Sequence, residues 1–390
     1  MTERGRATLA LGVAVYVVAW LLGARALYPV ATGLVLAVGL AVAWVRLATR
    51  QPHVHRHGAA RDVLEGDDVR VDLVVEATGS VPPPTLVAHE RPKGLPERRV
   101  ELHRVSGRRY AGGYELRSVP RGRYAFERVK LTIADPFGLA RTHIEQGEPQ
   151  ALVVYPRLVA LHGLFSEGGA YAQDGRRLLL RRPTGYELHS VREYVEGESL
   201  RKVHWPSTAH RGQLMVKEIE DAPRDEVAVL LDGDARAGTR ESFDIAVRAA
   251  GSILQAQLRR GRRCALVVNS AARDVQPVAS DGDWRRALEV LAAAGRDAPT
   301  PAFAMLQADG GVAARSLELV VVTSRLDVPL VDRLVQRALS RRGSALVYVE
   351  SEPGPEPQLL RLQSAGIPVA VVRAGDDLGL ALGARETQVA

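Results

Sequence analysis

Two uncharged runs near the N-terminus constrain this chain more than any other feature. Ala7–Ala24 is 18 residues without a charge and Ala26–Val45 is another 20, separated only by Arg25. At the helical rise these are about 27 and 30 Å long, close to the thickness of a hydrocarbon core. A single continuous helix would hold Arg25 at mid-membrane, at a cost of several kcal/mol, so the runs predict a two-helix hairpin with its turn near Arg25 and Pro29. Arg4 and Arg6 precede the first run, and Arg46, Arg50, Arg56 and Arg61 follow the second. By the positive-inside rule both flanks are expected in the cytoplasm, which makes a two-pass protein of the inner or plasma membrane. A cleaved signal peptide ending at Ala24–Ala26 is the alternative, but the second run would still need a membrane.

The rest of the 390 residues carries enough apolar and charged side chains for two folded domains. Cys264 stands alone in an apolar run, which excludes an intrachain disulfide and fits a reducing compartment. The net charge of +7 is uneven, with twelve Lys or Arg against four Glu over residues 91–130. An anionic membrane surface is the nearest partner for that excess.

The sequence divides into 1–50, the hairpin with spans of about 7–24 and 26–45; 51–68, a polar juxtamembrane linker; and 69–155, a β-rich region. A connector over 156–185, a charged segment over 186–221 and an α/β domain over 222–384 complete it. In the linker His53, His55 and His57 alternate, which would suit a metal triplet, but no matching ligand stands near, and a solvated linker is the favoured reading. The alternation of Val69, Val71, Leu73 and Val75, and later of Tyr124 with Phe126 and of Val129, Leu131 and Ile133, predicts the strands of a small sandwich. Its parity breaks between Phe126 and Val129. After residue 224, apolar strands alternate with amphipathic helices, the pattern of a doubly wound parallel sheet. Thr239 and Gly261 are the expected cap residues of its first helix.

In such a sheet ligands bind at the carboxyl ends of the strands, where Asp232 and Asp234 stand. Two carboxylates there, with Asp327, would suit a divalent cation, yet the loop "DGDARAG" offers no hydroxyl before Thr239. Asx-type turns are the favoured role for both, and neither metal nor other cofactor is expected. No phosphate loop, nucleophile elbow or zinc-helix motif is present, so an enzyme is not expected either. The stretch "VREYVEGESLRKVHWPSTAHRG" (191–212) is crowded with functional groups. Over 185–221, however, five Lys or Arg face seven Asp or Glu, so no nucleic-acid groove is expected. It reads instead as a strand, two helical turns over "ESLRKVHW" stopped by Pro206, and a second strand, with Leu200, Val203 and Trp205 as anchors. Arg192 and Arg201 beside Glu193, Glu196 and Glu198 suggest an ion-pair network.

This segment resembles the signature of the domain-of-unknown-function 58 family. Arg192, Glu193, Tyr194, Gly197, Glu198, Arg201, His204, Trp205 and Lys217 occupy matching positions, with Ala209, Leu214, Val216 and Glu218. "DPFGL" (135–139) and "VVYP" (153–156) are similar to family landmarks. The resemblance implies two N-terminal membrane helices, a β domain and a von Willebrand factor A-like domain, without a known reaction. It also implies association with a MoxR-type AAA+ ATPase, and sometimes with other membrane proteins, in chaperone-like or maturation assemblies. The family's A-like domain often carries a D-x-S-x-S metal motif. Here Asp234 and Arg236 stand at the serine positions, and Arg236 would repel a cation. The expected function is therefore a membrane-anchored, non-enzymatic adaptor, with a divalent-metal-dependent binder or enzyme using Asp232 and Asp234 as the alternative.

Overall fold

A computed structural model describes residues 1–49, 52–58, 63–78, 81–83, 85–161, 188–194, 203, 205–219, 227–307, 311–340, 342–351 and 356–382. The chain divides into two compact units, Met1–Arg157 and Leu158–Ala390.

The first unit begins with helices α1 (Glu3–Leu22) and α2 (Tyr28–Ala48). Thr2 caps α1 by accepting from the Gly5 backbone, Gly23 closes it at φ 66°, and Pro29 sits in the first turn of α2. The short turn Arg25–Leu27 joins them, so the charged break in the apolar run is where the chain reverses. Small residues allow the helices to approach: a Cβ on Gly12 would lie 3.1 Å from Leu34 and Val35. Both α1 and the stretch Arg25–Ala48 are long and apolar enough to cross a membrane.

Among the described residues ten strands follow: β1 (His53–His57), β2 (Val63–Leu64), β3 (Val69–Glu76), β4 (Thr85–Glu90) and β5 (Arg98–Ser106), then β6 (Arg109–Leu116), β7 (Gly122–Phe126), β8 (Val129–Ala134), β9 (Arg141–Gln146) and β10 (Gln150–Tyr155). They form a seven-stranded sheet, β1-β3-β6-β5-β4-β8-β9, and a three-stranded sheet, β2-β10-β7. The alternation of β3 places Val69 and Val71 against Tyr124, Phe126, Leu152 and Val154 of the smaller sheet. Leu73 and Val75 join a second cluster with Leu86, Val100, Leu131 and Ile133. That cluster includes Val38, Ala41, Val45 and Ala48. The last turns of α2 thus cover the sheet, and each buried valine contributes roughly 2 kcal/mol.

The linker expected over 51–68 is corrected by this arrangement. β1 pairs antiparallel with β3 over its whole length, and β2 pairs with β10. The cause is Arg56, which points inward from β1. Its guanidinium meets the buried carboxylate of Glu90 at 2.6 Å and lies 5.0 Å from the centre of the Phe126 ring. The Tyr114 hydroxyl also donates to Glu90, and burial, reinforced by that carboxylate, raises the phenol above its ordinary range. His53, His55 and His57 fall on the exposed side of β1, with the last two rings 6.4 Å apart.

In the second unit β11 (Leu188–Glu193) pairs antiparallel with β12 (Met215–Ile219), and α3 (Trp205–Arg211) lies between them in sequence. A larger sheet follows, built from β13 (Val227–Asp232), α4 (Arg240–Arg259), β14 (Cys264–Asn269), β15 (Val275–Val278) and α5 (Asp281–Ala293). It continues with α6 (Phe303–Gln307), α7 (Val312–Arg315), β16 (Glu318–Thr323), α8 (Val328–Leu339), β17 (Gly343–Val349), α9 (Pro357–Ser364), β18 (Val369–Val372) and α10 (Leu378–Ala381). The sheet order is β15-β14-β13-β16-β17-β18, parallel except for β15 at the edge. Helices α4, α5 and α10 pack on one face, and α6 to α9 on the other. Thr239 caps α4 in a capping box with Ser242, and Gly261 follows the helix at φ 72°. The start of the expected 156–185 connector is also docked: the Val159 N–H donates to Ser252 of α4 at 2.9 Å, and Val159 and Leu161 pack on the core.

The Arg56–Glu90 pair yields a stability prediction. Arg56→Met leaves Glu90, 1% exposed, buried without a counter-charge and should cost about 3–5 kcal/mol in urea unfolding of the full chain in mild detergent. Adding Glu90→Gln, which keeps an acceptor for Tyr114, should recover most of that loss.

Candidate functional site

Without β15, the strands run in the order second, first, third, fourth, fifth. The chain leaves β13 for β14 on one side and later returns to place β16 on the other, so the strand order reverses between β13 and β16. The crevice at the carboxyl ends of these strands is where an open α/β sheet binds its ligands. Asp232 ends β13, Asn269 ends β14 and Thr323 ends β16.

All three side chains meet. The Asp232 carboxylate accepts from Thr323 Oγ1 at 2.7 Å and from Asn269 Nδ2 and the Asp234 N–H at 3.0 and 3.1 Å. The last contact closes an Asx turn. A second follows, because Asp234 Oδ1 accepts from the Arg236 N–H at 3.0 Å. Gly233 is required here: a Cβ would lie 2.3 Å from the Asn269 carbonyl oxygen. Gly238, at φ 69°, brings the loop against Ser242 and Ser324 where a Cβ would collide with both.

Arg236 decides the electrostatics. Its Nε and Nη2 grip the two oxygens of Asp234 at 3.0 and 2.8 Å. Asp234 is buried, whereas the Arg236 side chain is 59% exposed. The guanidinium holds the Asp234 carboxyl below its ordinary value, while burial pushes the Asp232 carboxyl up against its hydrogen bonds. Asp327, the third carboxylate suggested for a cation, is the N-cap of α8 and accepts from the Leu330 N–H at 3.0 Å. Among the described residues no group of three His, Cys, Asp or Glu could hold a metal ion. Chemically, the crevice is a hydrogen-bonded lock, with the buried Asn269 Oδ1 left without a partner among the described residues and cationic groups outward: Arg236 and the exposed Arg325.

The signature segment lies elsewhere in this unit. Arg192, Glu193 and Lys217 are on the β11–β12 ribbon, whose backbone register pairs Arg192 with Val216 and Val191 with Lys217. The Tyr194 N–H continues the pairing to the Leu214 carbonyl at 2.8 Å. Gly197, Glu198, Arg201 and His204 lie outside the described residues, as do the side chains of the suggested ion-pair network. Two expectations are corrected. Pro206 does not stop a helix here but stands in the first turn of α3, where its missing N–H costs nothing. Trp205 is no anchor, being 64% exposed, whereas Val203 and Met215 are buried. Thr208 Oγ1 ties α3 to the ribbon by accepting from the Met215 N–H at 3.0 Å. Of the crevice residues, Asn269 was not anticipated from the sequence; its only signal was its place at the end of the apolar run "CALVVN".

Comparison with known proteins bears on this unit. The family model described as "Protein of unknown function DUF58" matches residues 190–347, or 158 of 390, a stretch that includes both the ribbon and the crevice. The chain is 28% identical over 218 residues to "Uncharacterized protein YeaD" of Bacillus subtilis (strain 168), covering 55% of this chain and 53% of that one. It therefore spans about half the length of that curated relative. Among solved structures, a CARDB domain from Pyrococcus furiosus in complex with di-metal ions is 15% identical over 27% of this chain and 88% of its own, with a TM-score of 0.19. Cwp6 from Clostridium difficile is 8% identical over 84% and 38%, with a TM-score of 0.21. Scores of this size carry no argument about the fold.

The lock makes a pH-dependent prediction. Thr323→Val removes the donor to one oxygen of Asp232 with little change of shape, and should cost about 1–3 kcal/mol at neutral pH. Asp232 titrates above its ordinary value in the fold, so its ionised form opposes folding as pH rises through that range. The loss in Thr323→Val should accordingly be larger at pH 7 than at pH 4, measured by denaturant unfolding at each pH.

Proposed function

We propose that this protein is a membrane-anchored, non-enzymatic adaptor, with α1 and α2 in the bilayer and the α/β unit presenting a rigid surface to a protein partner. The observation that carries this reading is the state of the strand-end crevice. Where a doubly wound sheet would place reactive or metal-binding groups, Asp232 and Asp234 are bonded to Thr323, Asn269 and Arg236. A carboxylate gripped by a guanidinium is a poor cation ligand and a poor general base. The position that bears a serine in the metal-dependent adhesion motif carries a permanent positive charge, which suits an acidic group on the partner.

The sheet order and the place of Asp232 at the end of its first strand support a von Willebrand factor A-like reading of this domain. The resemblance of the signature segment supports a MoxR-type AAA+ ATPase as the partner, within a complex for protein maturation or chaperone-like assembly. Both flanks of the hairpin would then be cytoplasmic, where such an ATPase acts. The exposed Trp205, in the segment that carries Arg192, Glu193, Tyr194 and Lys217, offers a second part of the partner surface.

A photo-crosslinking amino acid at position 205 or 236 of the full-length chain tests this in native membranes, with ATP, ADP or a non-hydrolysable analogue supplied. An AAA+ ATPase subunit should be captured in at least one nucleotide state. Its absence from every crosslinked band in all three states would sink the reading. Calorimetry of the full chain with Mg²⁺, Mn²⁺ and Ca²⁺ examines the metal-dependent alternative. Binding heat abolished by Asp232→Ala would favour that alternative over the adaptor.

A further inference from the structure

The register of the seven-stranded sheet brings three connections to one of its ends. Glu76 is opposite Arg109, Thr85 is opposite Ala134, and Ala134 is opposite Arg141, so the ends of β3, β5 and β8 and the starts of β4, β6 and β9 lie together. The hairpin docks on this end. The Thr2 N–H donates to the Leu139 carbonyl at 3.0 Å and Thr2 Oγ1 donates to the Gly138 carbonyl at 2.6 Å. From α2, Trp44 Nε1 donates to the Pro82 carbonyl at 3.1 Å.

At the level of that docking, α2 is apolar on two sides. Val38, Ala41, Val45 and Ala48 enter the core under the sheet. Leu40, Trp44 and Leu47, at helical spacing on the other side, are 68%, 39% and 43% exposed. From Val30 to Leu47 the exposed apolar stripe of α2 spans 17 helical rises, about 26 Å, close to a hydrocarbon core of about 30 Å. Glu3, Arg4 and Arg6 of α1 stand beside the same sheet end, so a bilayer covering the apolar part of the hairpin stops short of them and brings its headgroup layer to Trp44 and the sheet end to which Trp44 is bonded.

That end has the composition of a membrane-contacting surface. Phe137 and Val105, at its loop tips, are 78% and 68% exposed. Arg104, Arg108, Arg109 and Arg141 around them are exposed and form no ion pair among the described residues. Of the acids nearby, Asp135 is turned inward and accepts from Phe137 and Ala140 N–H groups, which leaves Glu76, exposed beside Arg109, and Glu3, exposed in the first turn of α1 with Arg4 and Arg6 beside it. Apolar tips ringed by arginines suit the headgroup layer of an anionic leaflet.

We infer that the loop end of the β unit is itself a lipid-binding surface, with Phe137 and Val105 entering the bilayer interface and Arg104, Arg108, Arg109 and Arg141 meeting anionic headgroups. This rests on the anchoring by α1 and α2 proposed above, and goes beyond it by assigning the folded unit a membrane face of its own. The β unit is then seated on the bilayer in one orientation instead of hanging from a tether.

Site-directed spin labelling of the full chain tests this in vesicles of phosphatidylcholine and phosphatidylglycerol. The buried Cys264 is first replaced in Cys264→Ser, and single labels are placed through Leu36→Cys, Val105→Cys, Phe137→Cys and Arg128→Cys. Position 36 reports on the hairpin, and position 128 lies at the opposite end of the sheet, next to the Val129–Gln146 pair. Oxygen-versus-nickel collision depths at 105 and 137 should fall between the lipid-buried value at 36 and the aqueous value at 128. Combining Arg108→Glu with Arg109→Glu should return the label at 105 to the value at 128. If 36 is lipid-buried while 105 and 137 match 128, the inference is overturned and the anchoring stands. If 36 is aqueous, both fall. A label at 105 unmoved by the charge reversal overturns the headgroup contact.

Discussion

The first unit depends on a helix that is apolar on two sides at once. Along α2 the stripe Val38, Ala41, Val45 and Ala48 is removed from water by the sheet, while Leu40, Trp44 and Leu47 on the same turns are left uncovered. Neither side alone explains the sequence. A membrane helix that simply ended at the bilayer surface would need no small, evenly spaced residues against a sheet. A helix of a water-soluble sandwich would put charge where Leu40, Trp44 and Leu47 stand. With the hairpin in a bilayer as proposed, meeting both demands would tie its depth to the position of the sheet.

The same coupling explains why a charged pair lies so deep in the β unit. Arg56 is three residues into the strand that follows α2, and its guanidinium reaches Glu90 while also donating to the Glu127 and Glu148 carbonyls. An isolated pair of this kind gains little over an apolar one, because desolvation offsets the attraction. What it supplies is register. Only one alignment of β1 on β3 brings Arg56 to Glu90, and a slip by one residue would turn Arg56 to solvent and the histidines into the core. Helix α2 and the sheet are thereby fixed to each other by a geometric requirement as well as by apolar area.

Much of this was legible in the sequence, and the exceptions share a cause. The hairpin, the parity break between Phe126 and Val129, the caps of α4 and the Asx turns at Asp232 and Asp234 each follow from local rules that the fold obeys. β1 was hidden because its outward residues are His53, His55 and His57 and of its two inward residues only Val54 is apolar, the other being Arg56, so no apolar alternation stands out. Its partner Glu90 is 34 residues away, and no local pattern reveals that pairing. The double use of α2 was hidden for the opposite reason, since a run apolar all round does not say which face meets protein. At Pro206 the residue was noticed but its sense reversed, because a proline that ends one helix is equally suited to begin the next. The crevice shows the limit for sites: Asp232 was visible, yet Asn269 becomes its partner only through parallel pairing of two strands.

The crevice also bears on what kind of surface the second unit presents. A metal-dependent site is conditional, since its binding strength follows the ion and is lost when the ion leaves. Arg236 replaces that condition with a fixed cation that arginine cannot give up at any physiological pH. Asp234 beneath it is neutralised in the same act, and Asp232 is occupied by neutral donors from two neighbouring strands. A partner meeting this surface would find its charge and shape constant. Control over association would then have to come from the partner's side, as it would with an ATPase whose own surface changes with the nucleotide it holds.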